Sequence, residues 1–182
     1  HIATDAEHFP FKKWRKYQQH VINHHKKQLS LLPHPQGPYE LRESIATMIA
    51  LSRGVRCRPE QIIIGSGTQP LIHKLMSLQS RSTTIAVENP GYQRFYQLLK
   101  DMDFTVEPID LDDQGISVEA IQERDPKWVF VTPSHQFPTG TIMPINRRIK
   151  LLNWAAESPD RYIVEDDYDS EFKYETDHIP SL

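Results

Sequence analysis

Short apolar runs alternate with helix-patterned segments along this chain, and that alternation restricts the fold more than any other feature. The runs are Ile62–Ile64, Thr83–Val87, Phe104–Ile109, Trp128–Val131 and Tyr162–Val164. Each is brief and rich in β-branched or aromatic residues, as buried strands are. Between them lie segments of helical period. Glu40–Arg53 sets Leu41, Ile45, Met48 and Ile49 on one face, turns Glu43, Ser44 and Arg53 outward, and stops at Gly54. A helix opened by Pro70 carries Leu71, Ile72, Leu75 and Leu78 inward. Tyr92–Lys100 and a short helix from Ser117 to Arg124 follow, the latter after a turn at Asp112–Gly115. Ile145–Glu157 places Ile149, Leu152 and Ala156 inward. Strand–helix alternation of this kind predicts an α/β fold with a mostly parallel sheet and flanking helices.

In a parallel sheet the loops that follow the strands share one rim, and ligands bind there. Polar clusters stand at the expected rim positions: Gly65–Gln69, Tyr92–Arg94, Ser134–Gln136 and Asp166–Tyr168. Gly65-Ser66-Gly67-Thr68-Gln69 joins a strand to a helix N-terminus. Small residues there let backbone N–H groups and hydroxyls surround an anion, and the helix dipole favours negative charge. The stretch is neither a P-loop nor a GxGxxG fingerprint, and a plain strand–helix turn has much the same composition. Asp166 and Tyr168 are two residues apart, so extended chain projects both to one side. A carboxylate and a phenol together suit a cationic heterocycle with an adjacent oxygen. Glu165, Asp166 and Asp167 also allow a magnesium-dependent phosphoryl-transfer site.

Composition narrows the classes. The 182 residues suffice for one core. A net charge of −3 gives no overall attraction to nucleic acid. The lone Cys57 excludes an intramolecular disulfide framework and fits a reducing compartment, so a cytoplasmic location is expected. No apolar run approaches the ~20 residues of a membrane span, and no signal peptide is visible. Residues 1–39 are expected to be irregular apart from one helix over Lys12–Gln28. Its partial apolar stripe is Trp14, Tyr17, Val21 and Ile22, and its other face carries Lys12, Lys13, Arg15, Lys16, Lys26 and Lys27. Given the acidic total, this basic face reads as solvated rather than phosphate-binding. His20 and His24 have helical metal-ligand spacing but no obvious third ligand, and read as surface residues.

The rim thus offers an anion cradle, an aromatic ring, a carboxylate with a phenol, and a guanidinium. A phosphorylated cationic aromatic fits this set, and pyridoxal 5'-phosphate is such a molecule. The same residues carry a resemblance to a known family. Pro90-Gly91-Tyr92, Ser134-His135-Gln136-Phe137-Pro138-Thr139-Gly140, Leu151–Glu157 and Glu165-Asp166-Asp167-Tyr168-Asp169-Ser170-Glu171-Phe172 are similar to the aminotransferase-like domain of MocR-type bacterial transcription regulators. Within that family they resemble the GabR-like, GABA-responsive branch. The resemblance extends over nearly the whole chain and implies the large domain of fold-type I pyridoxal-phosphate proteins.

By that resemblance Ser66, Gly67, Thr68 and Gln69 face the cofactor phosphate, Tyr92 stacks on the ring, Asp166 pairs with the pyridine nitrogen and Tyr168 meets the ring oxygen. Arg94 corresponds to an arginine directed at an effector carboxylate. Aminotransferases carry an asparagine for the ring oxygen where this chain has Phe137, and His135 or Gln136 are the candidates to compensate. The resemblance further implies a homodimer, an amino-acid effector such as GABA, and DNA contact through a winged-helix domain expected before residue 1. The Schiff-base lysine is expected after residue 182, and Lys173 reads as a surface lysine. Residues 1–39 would form an N-terminal segment and 40–182 the N-terminal part of an incomplete large domain. In that arrangement Ile62–Ile64 lacks a strand neighbour and Trp128–Val131 is an exposed edge. The segment alone is expected to show no transaminase activity; a fragment of an active aminotransferase is the alternative.

Overall fold

A computed structural model describes residues 7–169 and 180–182. Helices α1 (Phe11–His24) and α2 (Lys26–Leu29) come first, then α3 (Tyr39–Arg53), a 3-10 turn at Pro59–Gln61, and α4 (Thr68–Met76). The sheet region follows: β1 (Thr84–Asn89), α5 (Gln93–Asp101), β2 (Thr105–Asp112), β3 (Gly115–Ile116), α6 (Val118–Arg124), β4 (Trp128–Val131), α7 (Ile145–Ala156) and β5 (Tyr162–Glu165). The strand order is β3-β2-β1-β4-β5. All pairings are parallel except the β2–β3 hairpin, which closes Asp112 onto Gly115.

Strand alternation sorts the core into two layers. Ile85, Val87, Trp128 and Phe130 point to one face, where Ile72 and Met76 of α4 and Phe95 and Leu99 of α5 cover them. Ala86, Val129 and Val131 point to the other, against Val118 and Ile121 of α6 and Leu151 and Trp154 of α7. The parity continues into β5. Val164 packs against the α4/α5 layer and Ile163 against the α6/α7 layer. Beyond the strand, the Asp166 N–H donates to Val131 O at 2.9 Å, so Asp166 keeps the parity of Val164.

Ile62–Ile64 is extended but outside the sheet; Ile62 N–H donates to Pro59 O at 3.2 Å and Ile64 N–H to Gln36 O at 2.9 Å. Its lack of a strand neighbour is as expected, whereas β4 is not an edge: β1 and β5 flank it, and the outer strand is β5. In α7 the buried side chains are Arg147, Arg148, Leu151 and Trp154, while Ile149 and Leu152 are exposed. The two arginines hid this face from a hydrophobicity pattern, yet each finds full partners inside. Arg147 donates to Ile116 O and Asp112, and Arg148 to Met143 O, Pro133 O and Pro180 O, all within 2.9 Å. In α4, Ile72 and Met76 are buried but Leu75 is not, and Leu78, past the helix end, is exposed. Arg53, expected outside, is only 7% exposed.

Candidate functional site

Four chain segments meet at the carboxyl-end rim. The first is the turn into α4. Gly67 is the N-cap residue with φ +108°, a conformation that favours glycine. No side chain caps this helix, and Pro70 in the first turn has no N–H to satisfy. The first-turn amides beside the exposed Ser66, Thr68 and Gln69 are therefore open to an external acceptor. The second segment is the turn after β1. Gly91 is required there: a Cβ would sit 2.3 Å from Glu88 O. This turn delivers Tyr92 as the N-cap of α5, its ring edge-on to Phe95 at 4.8 Å and to Phe137 at 5.9 Å.

The third segment follows β4, where Thr132 and Gln136 bind the buried Glu88. Thr132 Oγ1 donates to Glu88 Oε2 at 2.6 Å, and Gln136 Nε2 donates to the same oxygen at 3.1 Å. Burial raises the Glu88 pKa above its usual range, and these hydrogen bonds partly offset the rise. Gln136 also holds Pro90 O and Thr139, so it fastens the two turns together. His135 lies instead beside Asp169, Nδ1 to Oδ2 2.5 Å, with its ring nearly parallel to that of Tyr168.

The fourth segment leaves β5, and strand parity divides its acids. Glu165 and Asp167 turn toward the α7 side, where Arg53 lies 2.6 Å from Asp167 and 3.5 Å from Glu165 and also donates to Ser134 Oγ at 2.8 Å. Asp166 and Tyr168 turn to the α4/α5 side. The magnesium reading needs Glu165, Asp166 and Asp167 to converge, and they do not. Among the described residues no group of three or more metal-ligating side chains occurs.

These segments enclose one cavity of about 470 Å³. Ser66, Gly67, Thr68, Gln69, Tyr92, Arg94, Asp166 and Tyr168 all line it. Pro70, Phe95, Thr132 and Phe137 complete the wall; Phe95 and Thr132 were missed in the sequence, although one lies a helical turn past Tyr92 and the other directly follows β4. Burial raises the Asp166 pKa, and the neighbouring negative charges of Asp167 and Asp169 raise it further. No cation among the described residues pairs with Asp166. Arg94 is exposed and has no hydrogen-bond or ion-pair partner among the described residues. The cavity therefore presents uncapped amides at one wall, a carboxylate that a cation would stabilise at another, aromatic edges between them and a guanidinium at the mouth. That donor set fits a phosphorylated, cationic aromatic group. Lys173, read from the sequence as a surface lysine, lies outside the described residues.

Comparison with known proteins agrees with this geometry. The family model described as "Aminotransferase class I and II" matches residues 2–178. An HTH-type transcriptional regulator of Bacillus subtilis, YdeL, is 44% identical over 179 residues, which cover 98% of this chain and 38% of that protein. The probable rhizopine catabolism regulatory protein MocR of Rhizobium meliloti is 33% identical over 96% of this chain and 35% of its own length. The multiple substrate aminotransferase of Thermococcus profundus superposes with a TM-score of 0.83 and 26% identity, over 96% of this chain and 46% of that one. The chain thus spans little more than a third of the regulators it matches, and the resemblance to MocR-type regulators read from its motifs is borne out. It belongs to the class I and II aminotransferase family, in the form that HTH-type transcription regulators carry.

Proposed function

We propose that this segment forms part of the effector-sensing domain of a bacterial transcription regulator that reads an amino acid through pyridoxal 5'-phosphate. The observation that carries the proposal is the meeting of all eight expected rim residues around one cavity. Ser66, Gly67, Thr68 and Gln69 would hold the phosphate at the N-terminus of α4. Tyr92 would lie against the ring. Asp166 would pair with the protonated ring nitrogen, an interaction that replaces its repulsion by Asp167 and Asp169 with attraction. Tyr168 would hydrogen-bond the ring oxygen, steadied by the neighbouring His135. Arg94 would take the carboxylate of the effector, for which GABA is our candidate. When bound, the cofactor supplies an aldehyde that condenses reversibly with amines and a ring that withdraws electrons.

In this reading residues 1–39 are an N-terminal segment and 40–182 belong to the cofactor-binding domain. The full-length protein is a cytoplasmic homodimer that reaches DNA through a winged-helix domain. Effector binding changes the contacts of the cofactor and so shifts the balance between two domain arrangements. Among the described residues no helix is long and apolar enough to cross a membrane. The test is a titration of the full-length protein with the cofactor, then with GABA, following visible absorbance and operator affinity together. GABA changes both if the reading holds. Cofactor binding without any change in DNA affinity on adding amino acids would contradict it. Similarity to a multiple substrate aminotransferase favours a second reading, amino-group transfer with turnover; steady-state keto-acid production by the full-length protein distinguishes it.

A further inference from the structure

The basic helix at the start of the chain plays no part in the cavity. Between His8 and Tyr39 there is no Asp or Glu, while Lys12, Lys13, Arg15, Lys16, Lys26 and Lys27 all fall there. The whole chain carries −3, so this stretch, at +6, stands against −9 in the rest of the chain. No residue of α1 is buried. At 100° per residue, Lys12, Lys13, Arg15 and Lys16 fall on one half of the helix, and Trp14, Tyr17, Val21 and Ile22 on the other. No carboxylate among the described residues pairs with any of the six cations. Protein packed on the aromatic half would leave the cationic half facing outward.

We infer that the cationic half of α1 binds the phosphate backbone of duplex DNA. The inference rests on the regulator reading, in which DNA is already held close by another domain. The charge argument selects the partner: a surface with several lysines and arginines and no acid attracts a polyanion and offers no base-specific pattern. The four cations of this half lie within residues 12–16, about 6 Å along the helix axis, which sets them together against neighbouring phosphates. The contact adds affinity without sequence preference, and it is sensitive to salt. The overall negative charge that argues against DNA binding by the chain as a whole does not apply to this local surface.

The test compares the full-length protein with the variant K12Q/K13Q/R15Q/K16Q. Fluorescence anisotropy measures affinity for a fragment of its own upstream region and for a random 40-base-pair duplex, across a salt series. Each lost phosphate contact lowers the slope of log affinity against log salt by about 0.9. The expected result is a slope lower by roughly 2 to 4 on both duplexes, with the cofactor absorbance unchanged. The charge-conserving variant K12R/K13R/R15K/K16R keeps the wild-type slope, which separates charge from folding. K74Q/K100Q, elsewhere on the surface, also keeps it. An unchanged slope in the first variant overturns the inference while leaving the sensor reading intact. Complete absence of DNA binding by the wild type overturns both. Binding of vesicles containing 30% anionic lipid that the first variant loses, with DNA binding unaffected, overturns it in favour of a membrane surface.

Discussion

Asp166 concentrates the residue-scale argument, because the features that suit it to a cation make it unfavourable without one. Burial and nearby acids raise its pKa, and burial raises those of Glu88 and Glu165. Raised carboxylates favour the proton in the folded state. Their stabilising contribution is fully present below the ordinary carboxylate pKa and is lost as pH rises through the raised values. Cofactor-free protein should therefore lose thermal stability from about pH 4 upward as these groups ionise. D166N should flatten that loss and raise the melting temperature at pH 8, while weakening cofactor binding at least about tenfold, the equivalent of ~1.4 kcal/mol. Thermal scans across pH, paired with cofactor titrations, check both halves; a variant less stable than wild type at pH 8 would contradict the electrostatic account. Gly91 gives a steric counterpart. A methyl group there meets Glu88 O at 2.3 Å, so G91A should cost about 1–3 kcal/mol by forcing the backbone to shift, as read by chemical denaturation.

At the scale of elements, the sequence conveyed strand positions well and helix faces poorly. β4 runs from Trp128 to Val131 as expected, and Ser117 caps α6 through the Ala120 N–H. The strands were legible because short β-branched runs bounded by turn residues have few alternatives. The faces of α7 were not, because Ile149, Leu152 and Ala156 form a plausible stripe while the true interior face contains two arginines. Backbone carbonyls that accept from Arg147 and Arg148 become neighbours only after folding. Arg53 was misplaced for the same reason: its partners Ser134, Glu165 and Asp167 are distant in sequence. Two predictions separate the faces. L151A should destabilise by about 2–5 kcal/mol and L152A by less than ~1 kcal/mol, measured by urea unfolding. R53A should cost about 2–4 kcal/mol, since it leaves two partly buried carboxylates without their cation; near-neutral behaviour in the same assay would remove the ion cluster from the account.

The whole molecule is a three-layer α/β unit whose rim gathers its chemistry. Tyr92, Arg94, Asp166 and Tyr168 were more legible than the packing because they follow β1 and β5, positions a parallel sheet brings together by topology; Ser66–Gln69 were legible instead as small residues opening a helix, since the run before them lies outside the sheet. Thr132 and Phe95 escaped notice because nothing local distinguishes a threonine after a strand or a phenylalanine in a helix. The Ile62–Ile64 run shows the limit: its composition marks a strand, yet strand pairing depends on a neighbour that composition does not supply. The central claim is that the cavity between α4, Tyr92 and Asp166 holds pyridoxal 5'-phosphate. The most direct test is an equilibrium titration of the full-length protein with the cofactor, by visible absorbance and by quenching of tryptophan fluorescence, beside D166N and Y92A. The account predicts saturable binding by the wild type and clear weakening in both variants. Equal affinity in all three proteins, or no binding by the wild type, would contradict it.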